Sequence, residues 1–119
     1  MDVLLAALAL AAPPFQATLT APTHEPKVNA RWYWSVKVSD LRGRPLPARI
    51  TAHVIDPFGG VHPVEFGPST KRIVDWPISG RFRDYAIWPP ESRGFRLTFR
   101  VTVKAKGAVR RLEYRVRPR

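Results

Sequence analysis

At 119 residues the chain is long enough for one compact domain and too short for two ordinary ones, and its lack of cysteine excludes a disulfide framework and a thiolate metal site. Twenty Lys and Arg stand against nine Asp and Glu, a net charge of +11 that favours anionic partners such as nucleic acid, anionic lipid or acidic polymer. A hydrophobic share of 45% excludes wholesale disorder. Fifteen of the 20 cations are Arg and there are 13 prolines, a bias that a GC-rich genome would also produce; the nucleotide composition of the gene tests that origin.

The chain begins with "MDVLLAALALAAPP", an apolar run from Val3 to Ala12. Ten residues are too few for a membrane span, which needs about 20. The run suits the apolar middle of a secretory signal, with Ala7-Leu8-Ala9 or Ala9-Leu10-Ala11 as small residues for cleavage. Asp2, with no Lys or Arg beside it, departs from that pattern, and a first strand or short helix of the domain is the competing reading. Residues 1–13 are therefore expected to be a signal and 15–119 a single domain, which places the mature protein in the secreted fraction or cell envelope.

From Phe15 onward the period is two. Phe15, Ala17, Leu19 and Ala21 alternate with polar residues and predict a first strand ended by Pro22. In "RWYWSVKVS", Trp32, Trp34, Val36 and Val38 share one face, while Tyr33, Ser35, Lys37 and Ser39 share the other. "DLRGRPLP" is a turn, and Ile50, Ala52 and Val54 alternate inward after it. "DPFGG" is a second turn, and "VHPVEF" is a weak strand confined by Pro63 to an edge. "GPSTKRIVDWPISG" reads as a loop with room for a short strand over Lys71 to Trp76. In "RFRDYAIW" Phe82 points inward, and Tyr85 and Ile87 join it only if the phase slips at a bulge. Phe95, Leu97, Phe99, Val101 and Val103 mark the clearest strand, and a second phase shift at Arg110-Arg111 precedes Leu112, Tyr114 and Val116 in the last. About seven short strands with no helical period predict an all-β fold, an antiparallel β-sandwich, with a small β-barrel as the alternative. Trp32, Trp34, Phe95, Phe99 and Tyr114 are the expected core anchors.

The stretches "WSVKVSDLRGRPLPARITAHVI" and "WPPESRGFRLTFRVTVKAKGAVRRLEYRVRPR" resemble single Ig-like (fibronectin-III-like) domains of secreted or envelope proteins of GC-rich bacteria. The resemblance rests on the aromatic-rich strand, the turn at Asp40, Gly43, Arg44, Pro45 and Leu46, the Trp88-Pro89 pair and the Gly94-led strand, and it covers about residues 28–119. It implies an adhesive or spacer module and no catalyst.

His24, His53 and His62 are the chain's histidines; His53 and His62 flank the "DPFGG" turn and could meet across a hairpin, with Asp56 or Glu65 as a third group. Their spacing matches no standard metal site, and solvent-facing strand histidines are the better reading. A set of Ser35 or Ser39 with His53 and Asp56 lacks a nucleophile elbow, and Gly59-Gly60 lacks the Lys and helix of a phosphate loop. Asp40 and Asp56 each open a turn, where Asp caps backbone donors. Trp76-Pro77 and Trp88-Pro89 read as covers of a core edge before they read as exposed ligand contacts. The chain is thus read as a non-enzymatic binding module without cofactor or metal.

Charge is the functional signal. Arg93 to Arg119 holds ten basic residues and one acid, Glu113. The alternation puts Arg96, Arg100 and Lys104 on the outer face of the penultimate strand and Arg115 and Arg117 on that of the last, one basic face for an anionic polymer, a membrane surface or another protein. The competing readings are a merely solvated face, and a cytoplasmic nucleic-acid-binding protein with Tyr33 as its one stacking candidate.

Overall fold

The computed structural model describes residues 14–119, and the predicted signal segment lies outside them. The described residues form eight strands: β1 Gln16–Thr20, β2 Arg31–Ser39, β3 Pro47–Ile55, β4 Val61–Pro63, β5 Trp76–Ser79, β6 Arg81–Ile87, β7 Leu97–Ala105 and β8 Ala108–Val116. One short 3-10 turn, Pro90–Ser92, is the helical element among the described residues, so none of them forms a helix long enough to cross a membrane.

All pairings are antiparallel. β1, β2 and β6 make one layer, and β3, β7 and β8 the other, with β4 and β5 on the free side of β3. Among the described residues, the strand ladder between the two layers is one residue pair, Ser79↔Arg81, where β5 hands over to β6. The result is a β-sandwich. β4 and β5 are two parts of one edge: β4 pairs with His53–Ile55, the chain leaves through a small hairpin with Glu65 opposite Arg72, and β5 returns to pair with Pro47–Ile50. Pro63 and Pro77 fit there because an edge strand need not donate on its outer side.

The core is what the period-two pattern demands. Trp32, Trp34, Val36 and Val38 of β2 are buried against Ile50 and Ala52 of β3 and Phe99, Val101 and Val103 of β7. Phe99 lies at its centre, with ring centroids 5.0 Å from Trp34 and 5.2 Å from Trp32. The Trp32 indole N–H donates to the Thr23 carbonyl at 2.9 Å.

Four expectations need correction. Phe95 is 47% exposed and is no core anchor, because a turn through Gly94 (φ +82) precedes β7, which begins at Leu97. The short strand falls at Trp76–Ser79, beyond most of Lys71–Trp76, although Ile73 within that stretch is fully buried. β6 has no bulge: it pairs with β2 without interruption from Arg31↔Ile87 to Lys37↔Arg81. Its inward residues are Phe82, Asp84 and Ala86, opposite Val36, Trp34 and Trp32, so Tyr85 and Ile87 face outward. An inward carboxylate broke the hydrophobic alternation; Asp84 is satisfied there by the Gly67 N–H at 2.9 Å. The shift at Arg110-Arg111 is absent too, since β7 and β8 stay in register from Leu97↔Val116 to Ala105↔Ala108, with Arg110 in the inward phase opposite Val103. Tyr114 is half-buried, its hydroxyl donating to the Ala21 carbonyl at 3.2 Å.

Two Asp-led turns share one solution. Asp40 Oδ1 accepts the N–H groups of Arg42 and Arg44, each at 2.9 Å, and Oδ2 meets Arg44 Nε at 2.7 Å. Asp56 Oδ1 accepts those of Phe58 and Gly60 at 2.8 and 2.9 Å, and Oδ2 meets His62 Nε2 at 2.8 Å. The Arg44 N–H, above other causes, holds the Asp40 carboxyl below the usual range, and the His62 contact does the same for Asp56. A carboxyl whose pKa is depressed by folding contributes stability above its ordinary pKa and loses it as pH falls through the folded value. The melting temperature should therefore fall on acidification below about pH 4, and Asp40→Ala should flatten that dependence. Thermal melts across that range check it.

Gly80 closes the seam between the layers. Its N–H donates to the Leu46 carbonyl and its carbonyl accepts from Val38, both at 2.8 Å. Its φ is +79, and an added Cβ would stand 2.5 Å from the Pro45 Cβ. Gly80→Ala should cost about 1–3 kcal/mol in a denaturant titration, from the left-handed backbone and the Pro45 contact together.

Candidate anionic-polymer interface

The basic face is built on the β7–β8 hairpin. Lys106 and Gly107, with φ of +48 and +71, make the two-residue turn whose twist suits a hairpin. From that turn the register runs straight, so outward residues of β7 meet outward residues of β8 one for one. β3 pairs with the other edge of β7, setting Arg49 opposite Lys104 and His53 opposite Arg100.

Of the five predicted residues, Arg100, Lys104 and Arg115 stand in the outward phase of the ladder, Arg96 and Arg117 flank it, and they are not equally available. Arg96 is exposed just before β7. Arg100 lies opposite Glu113 and bonds it, Nη2 to Oε2 at 2.8 Å. Lys104 reaches Asp75 Oδ1 at 3.4 Å. Arg115 is exposed opposite Thr98. Arg117 is exposed beyond the end of β8 and donates Nε–H to the Gly94 carbonyl at 3.2 Å. Such exposed or half-exposed ion pairs are each worth about 0–1 kcal/mol, so an incoming anion competes for these cations at little cost.

Two members of the face were missed. Arg111 is exposed opposite Thr102, in line with Arg115; the assumed phase shift had hidden it. Arg49 comes from β3, and nothing local in the sequence says that β3 lies beside β7. The completed face presents Arg49, Arg96, Arg100, Lys104, Arg111, Arg115 and Arg117, with Glu113 and Asp75 as its carboxylates.

The opposite outer face, on β2 and β6, is also cationic. Tyr33 and Tyr85 are paired across the strands, ring centroids 5.7 Å apart. The Arg83 guanidinium lies 4.7 Å over Tyr33, and that of Arg31 lies 4.6 Å over Tyr85. Lys37 and Arg81 face each other at the far end of the same ladder.

The histidines do not assemble. His53 shares the outer face with Arg100, whereas His62 pairs with Val54 and takes the opposite side of that hairpin. His24 stacks on Tyr114 at 4.1 Å, with Nδ1 2.6 Å from the Arg115 carbonyl oxygen. No group of three or more His, Asp or Glu is placed to hold a metal among the described residues. Ser35 and His53 lie on different layers and cannot share a proton. Trp88 is 4% exposed and packs edge-on to Trp32 at 5.4 Å, and Trp76 packs edge-on to Phe66 at 4.9 Å.

Fold and surface together define an all-β antiparallel sandwich with two cationic outer faces. No protein-family model matches the chain, and no curated protein does. Among solved structures, the chain is similar to a DUF4466 family protein from Parabacteroides merdae, at 16% identity and a TM-score of 0.49, over 87% of this chain and 45% of that one. The chain thus spans under half the length of that protein.

Proposed function

We propose that the protein is a non-enzymatic Ig-like (fibronectin-III-like) module of the cell envelope or secreted fraction, holding an anionic polymer on the outer face of β3, β7 and β8. The Ig-like reading is supported by strand order: first, second and sixth strands in one layer, third, seventh and eighth in the other. Export is supported by the apolar run Val3–Ala12. The observation that carries the binding reading is the set of five cations, Arg49, Arg100, Lys104, Arg111 and Arg115, brought by three strands onto one face with two carboxylates, and flanked by Arg96 and Arg117. Guanidinium groups suit paired contacts with phosphate or carboxylate oxygens, and neighbouring strands about 5 Å apart repeat those contacts along a chain. No base-reading element is needed for such binding.

Salt dependence tests it. An affinity carried by about five phosphate contacts should fall about 100-fold between about 50 and about 200 mM salt. Affinity for a poly(glycerol phosphate) chain that is flat across that range refutes the reading.

A second reading is favoured by Tyr33 and Tyr85: a single-stranded nucleic acid stacking on the β2–β6 face, with Arg31 and Arg83 on its phosphates. Tyr33→Ala separates the two, since only this reading predicts that it weakens binding.

A further inference from the structure

At the end of the sandwich where β6 runs into Trp88, the two layers part. β6 has a ladder partner on its β2 side throughout, but on its other side, among the described residues, only Arg81 is paired. The gap is an open cleft of ≈ 660 Å³ between β6 and the Asp56–Ser69 and Phe95–Phe99 stretches, a size suited to a small organic ligand. Its walls carry aromatic rings. Trp88 and Phe99 are buried at the back, Phe66 is half-buried, and Phe58 and Phe95 stand at the mouth, 89% and 47% exposed. Ile87, 53% exposed, adds to the apolar mouth.

The charge of this cleft runs against that of the rest of the molecule. Three carboxylates line it, those of Asp56, Glu65 and Glu91, and no Lys or Arg does, in a chain of net +11. Asp56 is committed to its turn and to His62, but Glu65 and Glu91 are exposed and enter no ion pair among the described residues. Tyr85 also lines the cleft, but Arg31 covers a face of its ring, which leaves Phe58, Phe66 and Phe95 as the rings open to a guest. Aromatic faces attract a cation through their quadrupole, most strongly when water is excluded, and a weakly hydrated quaternary ammonium suits them best. An anion gains nothing here and meets two unpaired carboxylates.

The geometry points to a binding site for a small organic cation, an apolar body bearing a quaternary or alkylated ammonium group, with the body against Phe66 and Phe95 and the charge near Glu65 and Glu91. This site is separate from the basic face, which would repel such a ligand, and it stands whether or not that face binds a polymer.

The test is an amide-shift titration of the whole chain with phenylbutyltrimethylammonium, phenylpentanoate and phenylpentanol, three guests with like bodies and different heads. The cation should bind about tenfold more tightly than the neutral alcohol or the carboxylate. Its shifts should map to Phe58, Phe66 and Phe95. Phe95→Ala and the pair Glu65→Gln with Glu91→Gln should each weaken it about 3- to 10-fold, and all these residues are exposed enough for the fold to survive. Arg111→Glu with Arg115→Glu should not weaken it. Equal or tighter binding of the alcohol or the carboxylate overturns the proposal. So does a shift map centred elsewhere, or affinity for the cation that ignores both sets of cleft variants.

Discussion

Phe99→Ala is expected to lower the unfolding free energy by about 3–5 kcal/mol, the largest stability loss of any substitution considered. Phe99 has no exposed surface and sits on the inner face of β7, opposite Val54 on one side and Tyr114 on the other. Three tryptophans surround it, with Trp34 and Trp32 at 5.0 and 5.2 Å and Trp88 at 6.4 Å. Truncation removes the ring from water-excluded surroundings, and each aromatic pair adds about 0.5–1.5 kcal/mol to the burial lost. The indoles cannot collapse into the space, because Trp34 is held by the uninterrupted β2–β6 ladder. A domain of this size has about 5–15 kcal/mol in all, so the variant should be partly unfolded at ordinary temperature. Phe99→Leu keeps most of the volume and should cost less than half as much. Chemical denaturation reads both, and a loss under about 1 kcal/mol for the alanine variant contradicts the packing described.

The second large effect concerns binding. Arg111→Glu combined with Arg115→Glu should weaken affinity for an anionic polymer about 10- to 100-fold and lower the salt slope by about two or more. The two arginines stand opposite Thr102 and Thr98, so reversal sets no new glutamate directly across the ladder from an existing one. Reversal at Arg100 would be a poorer probe, since it would face Glu113 directly across the ladder and destabilise the hairpin. Arg31→Glu with Arg83→Glu, the same change in net charge on the other layer, is the control. Equal losses from both pairs would mean that net charge alone drives binding and that the β3–β7–β8 face has no special part.

The alternation from Trp32 to Val38 and from Leu97 to Val103 was legible because a strand buried on one face writes its period directly into the residue types. It failed where one residue broke that rule for a local reason. Asp84 points inward because a backbone N–H meets it, and the reading shifted Tyr85 and Ile87 by one to compensate. Arg110 also takes the inward phase, opposite Val103 on β7, and concealed Arg111. Phe95 kept the period but fell before the strand, where Gly94 turns the chain.

Arg100, Lys104 and Arg115, three of the five cations named from sequence, share one face, since a hairpin with a two-residue turn needs only counting. Arg49 and Asp75 reach that face through pairings 26 or more residues distant, and a single sequence carries no trace of them. For the same reason the aromatic cleft was illegible: its rings come from separate segments and meet only where β5 leaves β6 after one residue pair.

The most direct measurement is the amide-shift map of the domain with a short poly(glycerol phosphate) at low salt. Shifts concentrated at Thr98, Thr102, Arg111 and Arg115, with Arg49 and Thr51 on the neighbouring strand, are the result predicted for the face formed by β3, β7 and β8. Shifts confined to Tyr33, Arg83 and Tyr85, or spread evenly over both outer faces, contradict it.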